Sequence, residues 1–167
     1  RDRVIINDGS TTNNSSLSLT FISSETTSNF AIGDITVSGG SVSSFSGSGT
    51  TYYATFTPSA SGATTIDVAG STFTDAAGNN NSAASQFNWT YDGTLPTITG
   101  VSLASDNSTI AVTFSEAVYT TAGGSGSLVT SDFVFSISGG SATLSSSTPS
   151  SISASSNTYT PVSYTHL

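Results

Sequence analysis

Apolar residues in this chain alternate one by one with small or polar ones, in runs of strand length. Leu17-Ser18-Leu19-Thr20-Phe21 and Ile110-Ala111-Val112-Thr113-Phe114 are two such runs. A period of two sends alternate side chains to opposite sides of an extended backbone, so each run offers one apolar and one polar face. No long run of 3.6-residue period is present to support a helix. Hydrophobic residues make up only 35% of the chain, a level that can accompany disorder. Disorder, however, couples low hydrophobicity to high charge density, and charged residues are 7% here. The alternation therefore predicts a folded all-β protein.

In the first half the runs predict seven strands, near 4–7, 16–22, 34–38, 41–46, 50–57, 64–69 and 85–92, with turn residues between them. Leu17, Leu19 and Phe21 share one face, as do Tyr52, Ala54 and Phe56, and Phe87, Trp89 and Tyr91. Short antiparallel strands with one apolar face each predict two packed sheets. The expected core is Leu19, Phe21, Val37, Phe56, Val68 and Trp89.

The pattern then recurs. Leu17–Phe21 is matched by Ile110–Phe114, Asp34–Ser41 by Asp132–Ser141, and Thr51-Tyr52 by Thr158-Tyr159. Three blocks in one order, about 100 positions apart, predict a repeat with loop insertions. Gly123-Gly124-Ser125-Gly126-Ser127 lengthens the loop between Glu116 and Asp132 in the second copy. Asp92-Gly93-Thr94-Leu95-Pro96 carries the residues that end one strand before the next begins. The expected organisation is a sandwich at 4–92, a linker at 93–96 and a second sandwich at 97–161. That second copy stops short of a counterpart to the Trp-bearing strand, so its inner face is expected to be partly uncovered.

Both ends differ from the interior. The chain's two basic residues, Arg1 and Arg3, and its single His166 all lie there. Residues 162–167 are what GTC TCT TAT ACA CAT CTN encodes, which resembles a transposase mosaic end, and 1–3 fit the opposite end of the same inverted sequence. Residues 1–3 and 162–167 are accordingly read as translated adapter, outside functional reasoning.

The blocks Asp34-Ile35-Thr36-Val37-Ser38-Gly39-Gly40, Phe73-Thr74-Asp75-Ala76-Ala77-Gly78-Asn79 and Trp89-Thr90-Tyr91-Asp92, closed by Pro96, resemble bacterial Ig-like repeats of large extracellular and adhesin-type proteins. The resemblance spans residues 4–161. It implies tandem immunoglobulin-like antiparallel β-sandwiches, the second truncated, whose partners are neighbouring repeats of the same chain.

The chemistry left to such a chain is narrow. Without Cys there is neither disulfide nor thiol, and without Lys there is no Lys–Asn isopeptide crosslink. A formal net charge of −8 excludes the basic patches that nucleic acid and anionic membranes call for. No run reaches the ~18 apolar residues of a membrane span. The usual nucleophile–base pairs cannot be assembled from the interior residues, and acidic residues sit singly in turns, so no enzyme is expected.

Calcium is the candidate cofactor, since it takes six to eight oxygens from carboxylates, amides and carbonyls. Glu25, Asp75 and Asn79 form one candidate loop site, because the loops at 23–33 and 70–84 fall at the same end of an up-and-down sandwich. Asp8, Asp92 and Glu116 form a second, between the two domains, as the resemblance to calcium-dependent adhesin repeats implies. Ordinary Asx turns account for the same residues without metal. Phe87, Trp89 and Tyr91 could form a sugar platform only if exposed, and a period-two row on the last strand of a sandwich belongs to the core. The expected role is a spacer or stalk repeat of a secreted or cell-surface protein, the alternative being a carbohydrate- or ligand-binding module.

Overall fold

A computed structural model describes residues 6–141, 143–163 and 165–166, and the regular elements among them are strands and two single 3-10 turns. The chain divides into two units, one ending at Thr94 and one beginning at Leu95.

The first unit contains β1 (Thr11–Thr12), β2 (Leu17–Thr27), β3 (Ile35–Ser38), β4 (Gly40–Pro58), β5 (Gly62–Val68) and β6 (Phe87–Tyr91). One sheet has the order β1-β6-β5-β3, and β2 pairs with β4 in the other. Leu17 stands opposite Phe56, Leu19 opposite Ala54 and Phe21 opposite Tyr52. Directly opposed residues of an antiparallel pair project from the same side, so these six form one inner face. Ile35 opposite Val68, Val37 opposite Ile66 and Thr64 opposite Trp89 supply the other.

The core lies between those faces: Leu17, Phe30, Ile35, Tyr52, Phe56, Ile66, Val68 and Trp89 are all buried. Of the expected core, Phe56, Val68 and Trp89 are in this set, while Leu19, Phe21 and Val37 pack half-buried against it. Trp89 is 1% exposed, with its ring edge-on to Phe56 at 5.9 Å and to Tyr91 at 6.0 Å. Beside it, buried Thr64 satisfies its hydroxyl by donating to Trp89 O at 3.0 Å.

The expected strands at 41–46 and 50–57 are the two arms of β4. A straight strand of 19 residues would run about 60 Å, against a radius of gyration of about 13 Å for a 100-residue domain. The segment instead doubles back at Gly47–Gly49. Gly40 lies against Thr57 O and the Phe56 ring, Gly47 lies against Thr51 O, and Phe45 stacks on Tyr52 at 5.6 Å. Gly39, at φ +72°, is where the chain leaves one sheet for the other. A Cβ there would come within 2.8 Å of Ala63 O.

The first strand differs from expectation. Residues 4 and 5 of the strand expected near 4–7 lie outside the described residues, and Ile6 and Asn7 are not in a strand. Instead Asn7–Ser10 forms a tight turn, with Gly9 at φ +77° and Ser10 N donating to Asn7 O at 3.1 Å. This turn lays β1 alongside β6 in the parallel sense, so the unit is not wholly antiparallel.

The second unit contains β7 (Ile98–Leu103), β8 (Ile110–Phe114), β9 (Thr143–Leu144), β10 (Ser151–Ser155), β11 (Thr158–Val162) and β12 (Thr165–His166). One sheet has the order β10-β11-β8-β7, and β12 pairs with β9. A 3-10 turn at Thr130–Asp132 repeats the one at Ile32–Asp34: Val129 N donates to Asp132 Oδ2 and Ala31 N to Asp34 Oδ2, both at 2.8 Å. The segment after it, 133–138, corresponds to β3 but is not a strand. In the first unit β3 has β5 as its ladder partner, and the described residues of the second unit offer no counterpart of β5. Of the two adapter-read ends, residues 1–3, 164 and 167 lie outside the described residues; Val162 closes β11 and Thr165–His166 form β12.

Trp89→Ala is expected to destabilise the first unit by about 3–5 kcal/mol, the range for deleting a buried large aromatic side chain. Urea denaturation followed by circular dichroism checks this, and a loss below about 1 kcal/mol would contradict the packing described.

Candidate functional site

Backbone geometry decides where the candidate calcium ligands stand. Glu25 lies in the exposed far end of β2 and Asp75 in the loop between β5 and β6, which Thr27 and Asp75 join by an antiparallel bridge. Glu25, Asp75 and Asn79 all line one open cleft of about 630 Å³, whose apolar floor includes Phe21, Phe30, Tyr52 and Phe73. These three residues the fold does bring to one place.

The loop already consumes the Asp75 carboxylate. Oδ1 accepts from Ala77 N and Asn79 N at 2.8 Å, and Oδ2 accepts from the Asn79 side-chain amide at 2.8 Å. Asp75 N in turn donates to Asn79 O at 3.0 Å. The Asn79 side chain, followed by the backbone donors of Asn79, Ala77 and Gly78, holds the Asp75 carboxyl below its ordinary value of 3.8. Such bonds favour the charged form.

Two asparagines that the sequence pattern does not single out fix the rest of the loop. Asn81 Oδ1 accepts from Thr72 N at 2.8 Å and Phe73 N at 3.0 Å, while its Nδ2 donates to Ala69 O and Ser82 O. Asn29 Oδ1 accepts from Thr74 N at 3.1 Å and its Nδ2 donates to Thr74 Oγ1 at 3.2 Å, tying the loop to the end of β2. Beneath them Tyr52 OH donates to Thr27 O at 2.7 Å. The run Asn79–Asn81 marks a turn but not which member aims inward, and Asn29 stands alone beside Phe30, so spacing could not have found these two.

The second candidate set is distributed differently. Asp8 Oδ1 accepts from Asn88 N at 2.6 Å, at the beginning of β6. Asp92 follows the end of β6, its Oδ1 accepting from Thr94 N at 3.1 Å. Because β1 runs parallel to β6, Asp8 and Asp92 stand four strand positions apart, about 13 Å by strand rise. The antiparallel turn that would have set them side by side is not the one the chain makes. Glu116 follows β8 in the second unit, with Oε1 buried and without a hydrogen-bond partner. Among the described residues no group of three or more His, Asp or Glu side chains is placed to hold a metal ion.

The aromatic row also resolves. Trp89 is in the core and its neighbours Phe87 and Tyr91 are half-buried against it, so the row is not a sugar platform.

Asp75 generates an acid-sensitivity prediction. Its folded value is depressed, so its contribution is present above the unfolded value and is lost as pH falls through the folded one. Amides of Ala77 and Asn79 are expected to lose hydrogen-exchange protection, corrected for intrinsic rate, only below about pH 4. In Asp75→Ala the protection is expected to be absent at neutral pH as well; protection unchanged in that variant would contradict the role.

No curated protein and no solved structure matches the chain. The family model described as bacterial Ig-like domain matches residues 3–91, which covers the sandwich just described from the turn before β1 to the end of β6. The two-sheet core closed by Trp89 and the family match agree: the chain belongs to the bacterial Ig-like domain family.

Proposed function

We propose that the chain is a structural spacer, a length of tandem Ig-like repeat from a secreted or cell-surface adhesin-like protein. Bacterial Ig-like domains are often extracellular and typically non-enzymatic, and none of the described helical segments is long and apolar enough to cross a membrane. The observation that carries the proposal is the recurrence of one set of devices in both units. The Asp34 turn is repeated at Asp132. The Tyr52 hydroxyl bond to Thr27 O has its counterpart in Tyr159 OH donating to Val118 O at 3.3 Å. The doubled β4 is matched by the β10–β11 hairpin. A module built twice on the same local chemistry supports serial use of the module, with ligand recognition left to other parts of a longer protein.

Calcium enters this reading only as an added ligand of the Glu25–Asp75–Asn79 cleft, because the Asp75 turn closes on its own donors. The melting midpoint is expected to be the same in calcium and in chelator. A saturated site would raise it by roughly 10 °C or more, about 2.7 kcal/mol at a hundredfold excess over Kd, and would assign those three residues to metal. The spacer role itself is tested with arrays of two, four and eight copies of residues 6–96. Small-angle scattering should give a maximum dimension that grows in proportion to copy number. A dimension that levels off, or strong and selective binding of one array copy on a glycan microarray, would favour the ligand-binding module instead.

A further inference from the structure

Two aspartates of the chain are followed directly by glycine, in Asp8-Gly9 and Asp92-Gly93. Glycine leaves the next amide nitrogen unshielded, so an aspartate before it can close onto that nitrogen and rearrange its own backbone. The fold favours glycine at both places. Gly9 sits at φ +77°, a conformation glycine adopts without strain. A Cβ on Gly93 would fall 2.7 Å from Tyr91 Cζ and closer still to the hydroxyl of that ring, which is itself packed edge-on to Trp89.

The two amides are held differently. Gly9 N donates to a main-chain acceptor, Asn88 O, at 2.7 Å, and the Asp8 carboxylate is engaged on Asn88 N at 2.6 Å. Gly93 N donates instead to a side chain, Ser61 Oγ, at 2.9 Å. Ser61 lies in the exposed turn between β4 and β5, and the pairing of Gly62 with Tyr91 brings it level with Asp92. Its Oγ also accepts from Thr94 Oγ1 at 3.2 Å, while Asp92 Oδ1 accepts from Thr94 N at 3.1 Å. Freeing Gly9 N means parting two backbone segments. Freeing Gly93 N means turning one exposed hydroxyl.

We propose that Asp92-Gly93 is a self-modification site, at which Asp92 converts to isoaspartate, and that Ser61 is the residue that restrains it. Closure needs Gly93 N to give up its proton, the same loss that hydrogen exchange measures, and a proton held on Ser61 Oγ leaves only when that bond opens. The nitrogen then forms a bond to Asp92 Cγ, and one carboxyl oxygen departs as water, leaving a five-membered imide. Water adds back in the second step. Where it cleaves the bond between the Asp92 main-chain carbonyl carbon and Gly93 N, the chain continues through Cβ and Cγ, and the old carbonyl becomes a free carboxylate. Mass and charge are unchanged, and solvent is the only co-reactant. The backbone is one atom longer just after Asp92 N, which donates to Thr12 O at 3.0 Å. The contacts of Ser61 with Gly93 and Thr94 are set by the shorter backbone, so conversion detaches this segment from the β4–β5 turn.

The test follows isoaspartate at both positions in the whole chain kept at neutral pH, read by electron-transfer fragmentation of peptic peptides. In the folded chain Asp92 is expected to convert faster than Asp8, and in urea the two should convert at similar rates. Ser61→Ala should raise the rate at Asp92, and exchange of the Gly93 amide, by about fivefold to tenfold while Asp8 stays as it was. Ser61→Thr, which keeps the hydroxyl, should restore the native rate. Asp8 serves as the internal control, because a general loss of stability would raise both sites together. Asp8 converting as fast as Asp92 in the folded chain, or Ser61→Ala leaving Asp92 unchanged, overturns the proposal. So does a rise at both sites in equal proportion.

Discussion

Phe56 and Trp89 meet across a gap that no shared ladder spans. The two sheets of the first unit are separately hydrogen-bonded, so the sandwich is held by side-chain burial between their inner faces. Several other features exist to make that contact available. Gly39 and Gly40 let the chain pass from β3 to β4 where a Cβ would strike Ala63 O or Thr57 O. Thr64, buried opposite Trp89, hides its hydroxyl on a carbonyl and so puts a polar residue in the core without an unmet donor. Asn81 and Asn29 anchor the loop whose Phe73 packs on Phe30 at 4.9 Å. In the second unit the burial is uneven: Tyr159 of β11 is buried, while Val101 and Leu103 of β7 stand largely in solvent.

Alternation is legible wherever a strand has both a partner and a facing sheet. Leu17–Phe21 and Thr51–Phe56 reveal their inner faces from spacing alone. Phe30 does not. It lies in no strand, yet it is a hub, with rings of Phe21, Phe45, Tyr52 and Phe73 within 5.7 Å. Segment 133–138 carries Phe133, Phe135 and Ile137 at period two and forms no strand, because period two states which way side chains point and not that a ladder partner exists. The parallel placement of β1 is equally hidden, since it depends on the Gly9 turn and on Asp8 reaching Asn88 N. Loop ends are easier: counting strands puts Glu25 and Asp75 at one end of the sandwich, and they line one cleft. The same counting misplaces Asp8 beside Asp92, because the last strand meets β1 in the parallel sense.

Six of the carboxylates share one occupation. Asp8, Asp34, Asp75, Asp92, Asp106 and Asp132 each accept a hydrogen bond from a backbone N–H. With two arginines at the extreme N-terminus and no lysine, the chain has almost no cations with which to pair them. Backbone donors at turns provide the alternative, and charge-assisted bonds of this kind are stronger than neutral ones. Asp106 is a second instance beside Asp75: the hydroxyl and then the amide of Ser108 hold its carboxyl below the ordinary value. Acidity in this protein is thus largely turn chemistry, in keeping with acidic residues that are scattered singly along the sequence.

The parallel pairing of β1 with β6 bears on how the first unit responds to tension. Gly9 N bonds Asn88 O at 2.7 Å, Thr90 N bonds Ser10 O at 2.8 Å and Asp92 N bonds Thr12 O at 3.0 Å, with the Asp8 carboxylate on Asn88 N. A pull on the chain before β1 and after β6 acts on these strands in opposite directions along their common axis. The bonds lie across that axis and are strained together, in shear. An antiparallel pair loaded at one end would instead open like a zipper, one bond at a time. The strands nearest the two exits of the unit therefore form a mechanical latch, and the Asp8 carboxylate adds a charged bolt to it.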